Sequence, residues 1–333
     1  MGKQTERQKQ EEQIAGECCL SSNPKTAVLL LAHGSPDSAE DIPCFLHAVT
    51  GGRPLPDAVV KEVQHRYSLI GRSPLRDITM QQAAAMQREL EIPVFVGMRN
   101  WEPYIRDVVQ QMADDGVERA IVVCLAPQNS RTSVGLYKKA VLGESGQAPF
   151  AVDFVENWHD HPLLIAAFAE KLQRSWPDAC EEMGTKLPVI FTAHSVPTRT
   201  IEEGDPYEAQ ARHTAELVAD LVSDLLPRDW RFAFQSQGMS GGTWLGPTVE
   251  QTIESLRAQG HKAVFMQPIG FLCDHVEILY DIDIAFRKFA EQRGMKLFRA
   301  ESLNDSPLLA RALADVARVR KEADRTLKSE VRN

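Results

Sequence analysis

The sequence predicts an α/β fold built on parallel, doubly wound sheets, and three observations support this. Short apolar runs alternate along the chain with longer amphipathic segments. The apolar runs are nearly continuous, as in strands that are buried on both faces. Two of the amphipathic segments end in glycine, a common residue at helix C-termini. Strands of this kind alternating with helices are typical of a parallel sheet covered by helices.

The predicted strands fall into two groups of four. In the first half they are residues 26–32, 93–98, 119–126 and 150–156, and in the second half 188–193, 231–236, 262–268 and 296–301. The clearest helical segments are 78–90, 102–116 and 248–260. A closing helix is predicted over 306–327, with Ser306 and Pro307 suited to its cap and first turn.

Length and a faint internal repeat suggest two lobes. A chain of 333 residues is long for one hydrophobic core. "LLLAHGSP" (29–36) and "IFTAHSVP" (190–197) each run from a strand through Ala-His to Pro. Two similar lobes facing each other would place ligands at the carboxyl ends of both sheets. Recurrent βα units also produce such similarities by chance, and both interpretations stay open.

The chain divides into four predicted regions. They are a disordered polar tail over 1–24, an N-terminal α/β lobe over 25–155, a C-terminal α/β lobe over 156–303 and the closing helix over 304–327. The tail lacks the apolar core of a signal peptide.

Composition narrows the class of protein. Hydrophobic content of 43% and charged content of 25% are those of a globular protein. The formal net charge of −9 argues against a nucleic-acid partner, because phosphate binding needs a concentrated positive field. The apolar runs are too short to span a bilayer. Six scattered cysteines without a CxxC motif suit a reducing compartment, so we predict a cytoplasmic protein.

Ionisable residues crowd the segment "MQPIGFLCDHVEILYDID" (266–283). On a helix, Asp274, Glu277 and Asp281 share one face, where their charges repel unless a metal ion or a polar pocket is present. Asp-x-x-Glu is also a capping box, with Asp274 as the N-cap. Asp281 and Asp283 are then interpreted as a solvated face.

Two histidines stand where predicted strands end. His194 follows "PVIFTA", in the position of a sheet that favours function, and His33 occupies the matching place in the first half. A lone histidine there is more often a structural, hydrogen-bonded residue. The glycine-rich loop "FQSQGMSGGTWLGP" (234–247) lacks the order of a phosphate-binding motif, so it is interpreted as a wall around a flat ligand, with Trp244 as its apolar surface.

Basic residues gather in a segment that looks rich in loops. Arg53, Arg66 and Arg72 all fall within residues 51–79. Each is by default a solvated side chain, whereas several of them converging on one ligand would bind carboxylates.

Together these motifs resemble the ferrochelatases, from about Lys25 to Leu303. They occur in that family's order and at its approximate spacing, and they read "AHGSP", "RYSLIGRSPL", "GMRNWEPYIRDVVQQM", "LAPQNSRTSVGLY", "FTAHSVP", "QSQGMSGGTWLGP" and "GFLCDHVEILYDID". The resemblance implies two similar lobes with parallel four-stranded sheets that enclose a porphyrin cleft, and a metal site in the C-terminal lobe.

The resemblance also assigns residues. It makes His194 and Glu277 the catalytic, metal-binding pair, with His275 and Asp281 supporting them. The candidate porphyrin contacts are His33, Arg53, Arg66, Tyr67, Ser73, Tyr137 and Trp244. Where members that metallate coproporphyrin carry a tyrosine in "A-Y-G-T-P", this chain has His33, which differs in length and titration.

The implied reaction is insertion of Fe²⁺ into a porphyrin in haem biosynthesis, a lyase reaction. A neutral imidazole at His194 can accept a pyrrole proton near pH 7, and Glu277 offers a hard oxygen to iron. Weak, mixed ligation suits an ion that must leave the site. The expected substrate is coproporphyrin III, with protoporphyrin IX close behind. The alternatives are a cobalt chelatase of a corrin precursor and a non-catalytic porphyrin or haem carrier.

The resemblance extends to cofactors and partners. Some members hold an iron–sulfur cluster through cysteines near the C-terminus, but the last cysteine here is Cys273, so no cluster is predicted. The expected partners are the porphyrin and Fe²⁺, a monomer is expected, and peripheral membrane contact is left open.

Overall fold

The computed structural model describes residues 25–226, 230–237 and 242–330. The predicted polar tail over residues 1–24 lies outside them. All eight predicted strands are present within the described residues. They are β1 (Thr26–Ala32), β2 (Val94–Met98), β3 (Arg119–Cys124), β4 (Ala151–Val155), β5 (Val189–His194), β6 (Arg231–Gln235), β7 (Ala263–Pro268) and β8 (Lys296–Arg299).

The strands form two sheets of identical topology. The orders are β2-β1-β3-β4 and β6-β5-β7-β8, and every pairing is parallel. In each sheet the first strand along the chain is therefore central, and the third lies beside it. The prediction of two similar lobes with parallel four-stranded sheets is confirmed, and the internal repeat reflects it.

Helices connect the strands and cover both faces of each sheet. In the first half they are α1 (Ile42–Val49), α2 (Asp57–Ile70), α3 (Leu75–Leu90), α4 (Ile105–Asp114) and α5 (Val134–Leu142). In the second half they are α6 (Pro162–Met183), α7 (Thr198–Glu202), α8 (Tyr207–Leu221), α9 (Val249–Ala258), α10 (Val276–Leu279), a π-helical turn (Asp281–Phe286), α11 (Arg287–Glu291) and α12 (Pro307–Glu330).

One hydrophobic core joins the lobes. Leu30 of β1 and Phe191 of β5 belong to the same buried cluster, together with Phe168 of α6 and Leu313 of α12. Since neighbouring strand residues point to opposite faces, Leu29 packs into a separate cluster on the other side of its sheet. The shared core fixes the two sheets against each other, and the boundaries at residues 155 and 303 stay predictions.

Within the described residues, no helix has the length and apolar character needed to cross a bilayer.

Candidate functional site

A cavity of about 370 Å³ lies where the carboxyl ends of both sheets meet. Ala32 and His33 at the end of β1 line one side, and Leu125 and Ala126 after β3 continue it. The other side is lined by residues that follow β5 and β7 (His194–Pro197, Gly270–Cys273). The cavity thus occupies the position in parallel sheets that favours ligand binding.

His194 is the last residue of β5, and its ring orientation is fixed. Its Nδ1 lies against the carbonyl oxygen of Ser195, which can only accept, so Nδ1 carries the proton. Nε2 therefore keeps its lone pair and points toward Glu277, with 3.5 Å between Nε2 and Oε2. The hydroxyl of Tyr207 donates to the backbone carbonyl oxygen of His194 at 2.9 Å. The imidazole is held ready to accept a proton or a metal ion.

Glu277 reaches the cavity from α10. Gln235, at the end of β6, donates through Nε2 to the Glu277 carbonyl oxygen at 3.0 Å and so fixes its backbone. Its Oε2 atom is buried and has no hydrogen-bond partner among the described residues. A buried carboxylate oxygen without a partner is costly, so a site for a cation or a proton is indicated.

The capping-box interpretation of Asp274 is wrong. The N-cap of α10 is His275, and it makes no side-chain capping bond. The Asp274 carboxylate instead accepts from Ser302 Oγ at 2.7 Å and from Asn304 Nδ2 at 2.9 Å. It therefore points away from Glu277, toward the segment that follows β8.

Arg299, the last residue of β8, pins both ends of the segment that carries Glu277. Its guanidinium binds Asp283 with two contacts of 2.7 Å, and it lies 3.5 Å from Asp274. The Arg299 side chain is only 14% exposed. A bidentate, buried pair is geometrically specific, so Arg299 closes residues 274–283 into a defined loop.

Asp281 begins the π-helical turn and is buried, not part of a solvated face as predicted. Its residue exposure is 8%. Ser236 donates to its carboxylate, and Arg66 Nη1 lies 3.5 Å from Oδ1. Burial, followed by the charge of Glu277, raises the pKa of Asp281 to about 6. Asp281 can therefore change protonation state close to neutral pH. Asp283 is paired with Arg299 rather than solvated.

His275 and Phe271 complete the wall beside Glu277. The His275 ring lies 4.7 Å from the Phe271 ring, and its Nδ1–H donates to the Cys273 carbonyl oxygen at 3.0 Å. Burial lowers the pKa of His275, and the charge of Glu277 partly opposes this. Gly270, the residue before Phe271, packs closely against Ala193 of β5. Only glycine fits there, because a Cβ at position 270 would lie 2.8 Å from the Ala193 Cα.

His33 faces the same cavity from the first lobe, with both ring nitrogens engaged. Nδ1–H donates to the Gly34 carbonyl oxygen at 3.0 Å, and Asn100 Nδ2 donates to Nε2 at 2.9 Å. His33 is exposed through the open cavity, yet the surrounding protein atoms desolvate its ring. This desolvation, reinforced by the Arg99 charge, lowers the pKa of His33 to about 4. His33 is thus a neutral ring at physiological pH.

The structure separates the remaining candidates into two groups. Tyr137 and Trp244 line the cavity. Tyr67 and Ser73 are buried outside its lining, and the Tyr67 hydroxyl lies 3.1 Å from Ser35 Oγ. Arg53 is exposed and bonds to the Thr50 carbonyl oxygen.

The segment from Arg53 to Arg72 is largely helical rather than rich in loops. Most of it forms α2, which brings Arg66 from the first lobe onto the second. There the Arg66 guanidinium stacks 4.9 Å from the centre of the Tyr280 ring. Arg66 therefore bridges the lobes beside Asp281 instead of lining the cavity.

Sequence reasoning missed several residues of the cavity wall, most clearly Arg99, Gln128 and Tyr207. Arg99 follows β2 directly and stacks over the Tyr137 ring at 5.7 Å. Its Nε is buried without a hydrogen-bond partner among the described residues. The rule that marked His33 and His194, a polar residue at a strand's carboxyl end, also marks Arg99.

Two side chains of this cavity, His194 and Glu277, are placed to bind one metal ion together. In the described part of the chain, no three His, Cys, Asp or Glu side chains are grouped to hold one. His194 Nε2 and Glu277 Oε2 form a mixed nitrogen and oxygen pair, close to the separation of adjacent ligands around one ion, about 3.0–3.4 Å. Two protein ligands are fewer than the four that hold a structural metal ion, which would suit an ion that must be released.

Comparison with known proteins adds to this geometry. A family model described as Ferrochelatase matches residues 25–321. "Ferrochelatase" of Acidobacterium capsulatum is 54% identical over 307 residues, covering 88% of this chain and 94% of that protein. "Ferrochelatase" of Deinococcus radiodurans is 38% identical, covering 89% and 96%. "Coproporphyrin III ferrochelatase" of Oceanobacillus iheyensis is 34% identical, covering 92% and 99%.

Among solved structures, SirB from Bacillus subtilis with Fe³⁺ has the same fold. The TM-score is 0.54 at 12% sequence identity, and the match covers 89% of this chain and 95% of that one.

Proposed function

This chain belongs to the ferrochelatase family, and on that basis we propose that His194 and Glu277 form the centre at which iron meets the porphyrin. As a ferrochelatase it inserts Fe²⁺ into a porphyrin in haem biosynthesis, a lyase reaction. The observation that carries the proposal is the facing of a lone-pair nitrogen, His194 Nε2, and an unpartnered carboxylate oxygen, Glu277 Oε2, across 3.5 Å of the cavity wall.

The proposed mechanism follows from the proton balance. One Fe²⁺ enters the ring and two pyrrole N–H protons leave it. His194 Nε2 accepts a pyrrole proton, because Nδ1 is already protonated and bonded to Ser195. Glu277 first binds the incoming ion and, once the ion has entered the ring, accepts the second proton. Asp281 lies four residues further along the chain, close enough for the Glu277 charge to raise its pKa, and is the proposed next acceptor of that proton. Asp281 can pass that proton on, since its pKa of about 6 lies close to neutral pH.

We propose coproporphyrin III as the substrate, with protoporphyrin IX as the competitor. The similarity to the relative named Coproporphyrin III ferrochelatase supports this choice. Arg99, whose buried Nε has no hydrogen-bond partner among the described residues, supports a carboxylate-bearing porphyrin of either kind. A porphyrin carboxylate would satisfy this group with a charge-assisted hydrogen bond. Tyr137, under the Arg99 guanidinium, holds that cation in place.

The test is anaerobic metallation by Fe²⁺, with coproporphyrin III and protoporphyrin IX offered side by side. We expect a higher kcat/KM for coproporphyrin III. We also expect Arg99→Gln to raise KM for coproporphyrin III by about 10- to 100-fold, the loss of one charge-assisted bond. Arg99→Lys, the conservative control, should recover part of it. Preference for protoporphyrin IX would overturn the substrate assignment, and binding without metallation of either ring would overturn the role of the His194–Glu277 pair.

Four further predictions remain proposals. We propose that the enzyme works without an iron–sulfur cluster, because no cysteine follows Cys273, and cluster absorption in the purified protein would contradict this. A monomer in solution is expected. Peripheral contact with a membrane is to be tested by measuring binding of the protein to lipid vesicles.

A cytoplasmic location is supported by the free thiols of Cys44, Cys124, Cys180 and Cys273.

A further inference from the structure

A pair of histidines lies outside the catalytic cavity, where two separate elements meet. His159 belongs to the loop between β4 and α6, and His213 lies on α8. Their nearest ring nitrogens, His159 Nε2 and His213 Nδ1, are 3.3 Å apart, and the ring centres are 5.5 Å apart. Neither ring lines the cavity that holds His194.

The separation of these two nitrogens matches a metal site. Two nitrogens, each about 2.05 Å from a tetrahedral ion, lie about 3.3 Å from each other. Imidazole is a good ligand for divalent transition metals such as Zn²⁺, Fe²⁺ and Ni²⁺. A simple N–H···N hydrogen bond has a similar length, so the distance alone does not distinguish the two arrangements.

The surroundings of His159 suit a metal ligand. Its other nitrogen, Nδ1, lies 3.3 Å from Asn157 Oδ1, an atom that can only accept, so Nδ1 carries the proton. The lone pair is then on Nε2, facing His213. A histidine that donates its second N–H to an oxygen in this way has the orientation usual for metal ligands.

The backbone on which the pair stands is also fixed. Thr214, next to His213, is buried, and its Oγ1 donates to the His159 carbonyl oxygen at 2.9 Å. Gln128, on the cavity wall, donates to the same Oγ1 at 3.2 Å. The loop and α8 are therefore joined beneath the two rings, so little conformational freedom is lost when an ion binds.

We propose that His159 and His213 form a second binding site for a divalent transition metal ion, separate from the catalytic pair. The two imidazoles supply two ligands, and water completes the coordination. The site lies on the outer side of the wall formed by Gln128, one hydrogen-bonded residue away from the cavity. It extends the metal chemistry of this protein beyond the substrate iron.

The test is calorimetric titration of the full chain with Zn²⁺, which cannot change oxidation state. Wild-type protein should bind one more equivalent of Zn²⁺ than His213→Gln. His159→Gln should lose the same equivalent, which guards against a defect peculiar to one variant. His261→Gln, which removes a different half-buried histidine, is the matched control and should keep it.

Two further measurements separate this site from other ligands. The extra equivalent should persist in Glu277→Gln, where the catalytic pair is broken, and porphyrin metallation at saturating Fe²⁺ should be unchanged in His213→Gln. Zn²⁺ bound by any other side chains is common to all variants and cancels in the difference. Equal stoichiometry and affinity in wild type and His213→Gln would mean that the pair is only a hydrogen bond, and the proposal would be withdrawn.

Discussion

The two lobes present the same residue type at the same point of the same sheet, with different consequences. His33 follows β1 and His194 ends β5, and each of these strands is second in its sheet order. In both, Nδ1 bonds to the carbonyl oxygen of the next residue. They differ at Nε2: His33 accepts a hydrogen bond from Asn100, whereas His194 faces the Glu277 carboxylate.

This difference teaches where the chemistry of the cavity originates. The repeated sheet fixes the ring and its tautomer in both lobes, but it does not decide reactivity. The reactivity of each histidine depends on the residue that faces its Nε2. In the first lobe, the Asn100 amide, just after β2, donates to the lone pair of His33 Nε2. In the second lobe, the segment after β7 places the Glu277 carboxylate opposite His194 Nε2, which keeps its lone pair free. The proposal that only the second histidine carries out proton transfer can be tested by changing either side.

The largest effect is expected from His194→Ala. Removing a positioned general base typically costs about 10²- to 10⁴-fold in rate. We expect a loss of that size in kcat for insertion of Fe²⁺ or Zn²⁺, measured by the change in porphyrin absorption. Porphyrin binding, followed by fluorescence quenching, should remain. Near-normal turnover in this variant would remove His194 from the chemistry and make the two histidines equivalent.

A smaller but still large effect is expected from Arg299→Gln, which releases the acidic segment of the second lobe. Breaking a buried ion pair while leaving its carboxylates in place costs about 3–5 kcal/mol. We expect a loss of stability of that order in urea unfolding, and a rise in KM for the metal exceeding the rise in KM for the porphyrin, because Glu277 loses its fixed position.

The matched control is Arg287→Gln. Arg287 contacts the same carboxylate, Asp283, at 3.6 Å but is 43% exposed. A partner so exposed contributes about 0–1 kcal/mol. Equal destabilisation by both variants would show that Asp283 is not held mainly by Arg299.

The pH dependence of stability tests whether Asp281, in the acidic segment that faces His194, has a raised pKa. The folded-state pKa of Asp281, about 6, lies above its ordinary value of 3.8. The folded state thus binds the proton more tightly than the unfolded state does. The contribution of Asp281 to stability is therefore full below about pH 4 and is lost as pH rises through about 6, a change of about 3 kcal/mol at 1.4 kcal/mol per pKa unit.

Asp281→Asn should abolish this fall, because an amide does not ionise. Relative to wild type, the metal-free variant should gain about 1–3 kcal/mol at pH 7 and little at pH 4, since part of the gain is offset by weaker bonds to Ser236 and Arg66. Urea unfolding at several pH values measures the difference. A constant difference between the two proteins across this range would contradict the raised pKa.

Much of the fold was predictable from the sequence, because parallel strands that are buried on both faces consist of nearly continuous apolar residues. All eight strands were found in this way, and the rule that ligands bind at strand ends located His33 and His194. The pairing of His194 with Glu277 needed the resemblance to the ferrochelatases, since nothing local to either residue specifies the other.

The errors have a common physical cause. Asp274 looked like a helix cap because its true partners, Ser302 and Asn304, lie about thirty residues further along the chain. Asp281 looked solvated because its burial depends on Arg66, which comes from the other lobe. Partners that are distant in the sequence leave no periodic signal. The sequence therefore shows where the carboxylates are, but not which side chains they contact.

The smallest effect, and the sharpest test of the comparison, concerns His33 and Asn100. Because both His33 nitrogens are already engaged, His33→Ala should lower kcat by less than about 10-fold, well below the range expected for a general base. Asn100→Ala should be the more harmful change, because it frees Nε2 and places a second imidazole lone pair in a cavity where iron must be released.

The double variant distinguishes this explanation from simple damage to the first lobe. If the harm done by Asn100→Ala comes from the freed imidazole, removing that imidazole as well should return kcat to the level of His33→Ala. Kinetic parameters of the three proteins with Fe²⁺ and coproporphyrin III decide the matter. Additive losses would mean that Asn100 acts through packing, whereas recovery in the double variant would mean that one amide keeps the first lobe's histidine out of the reaction.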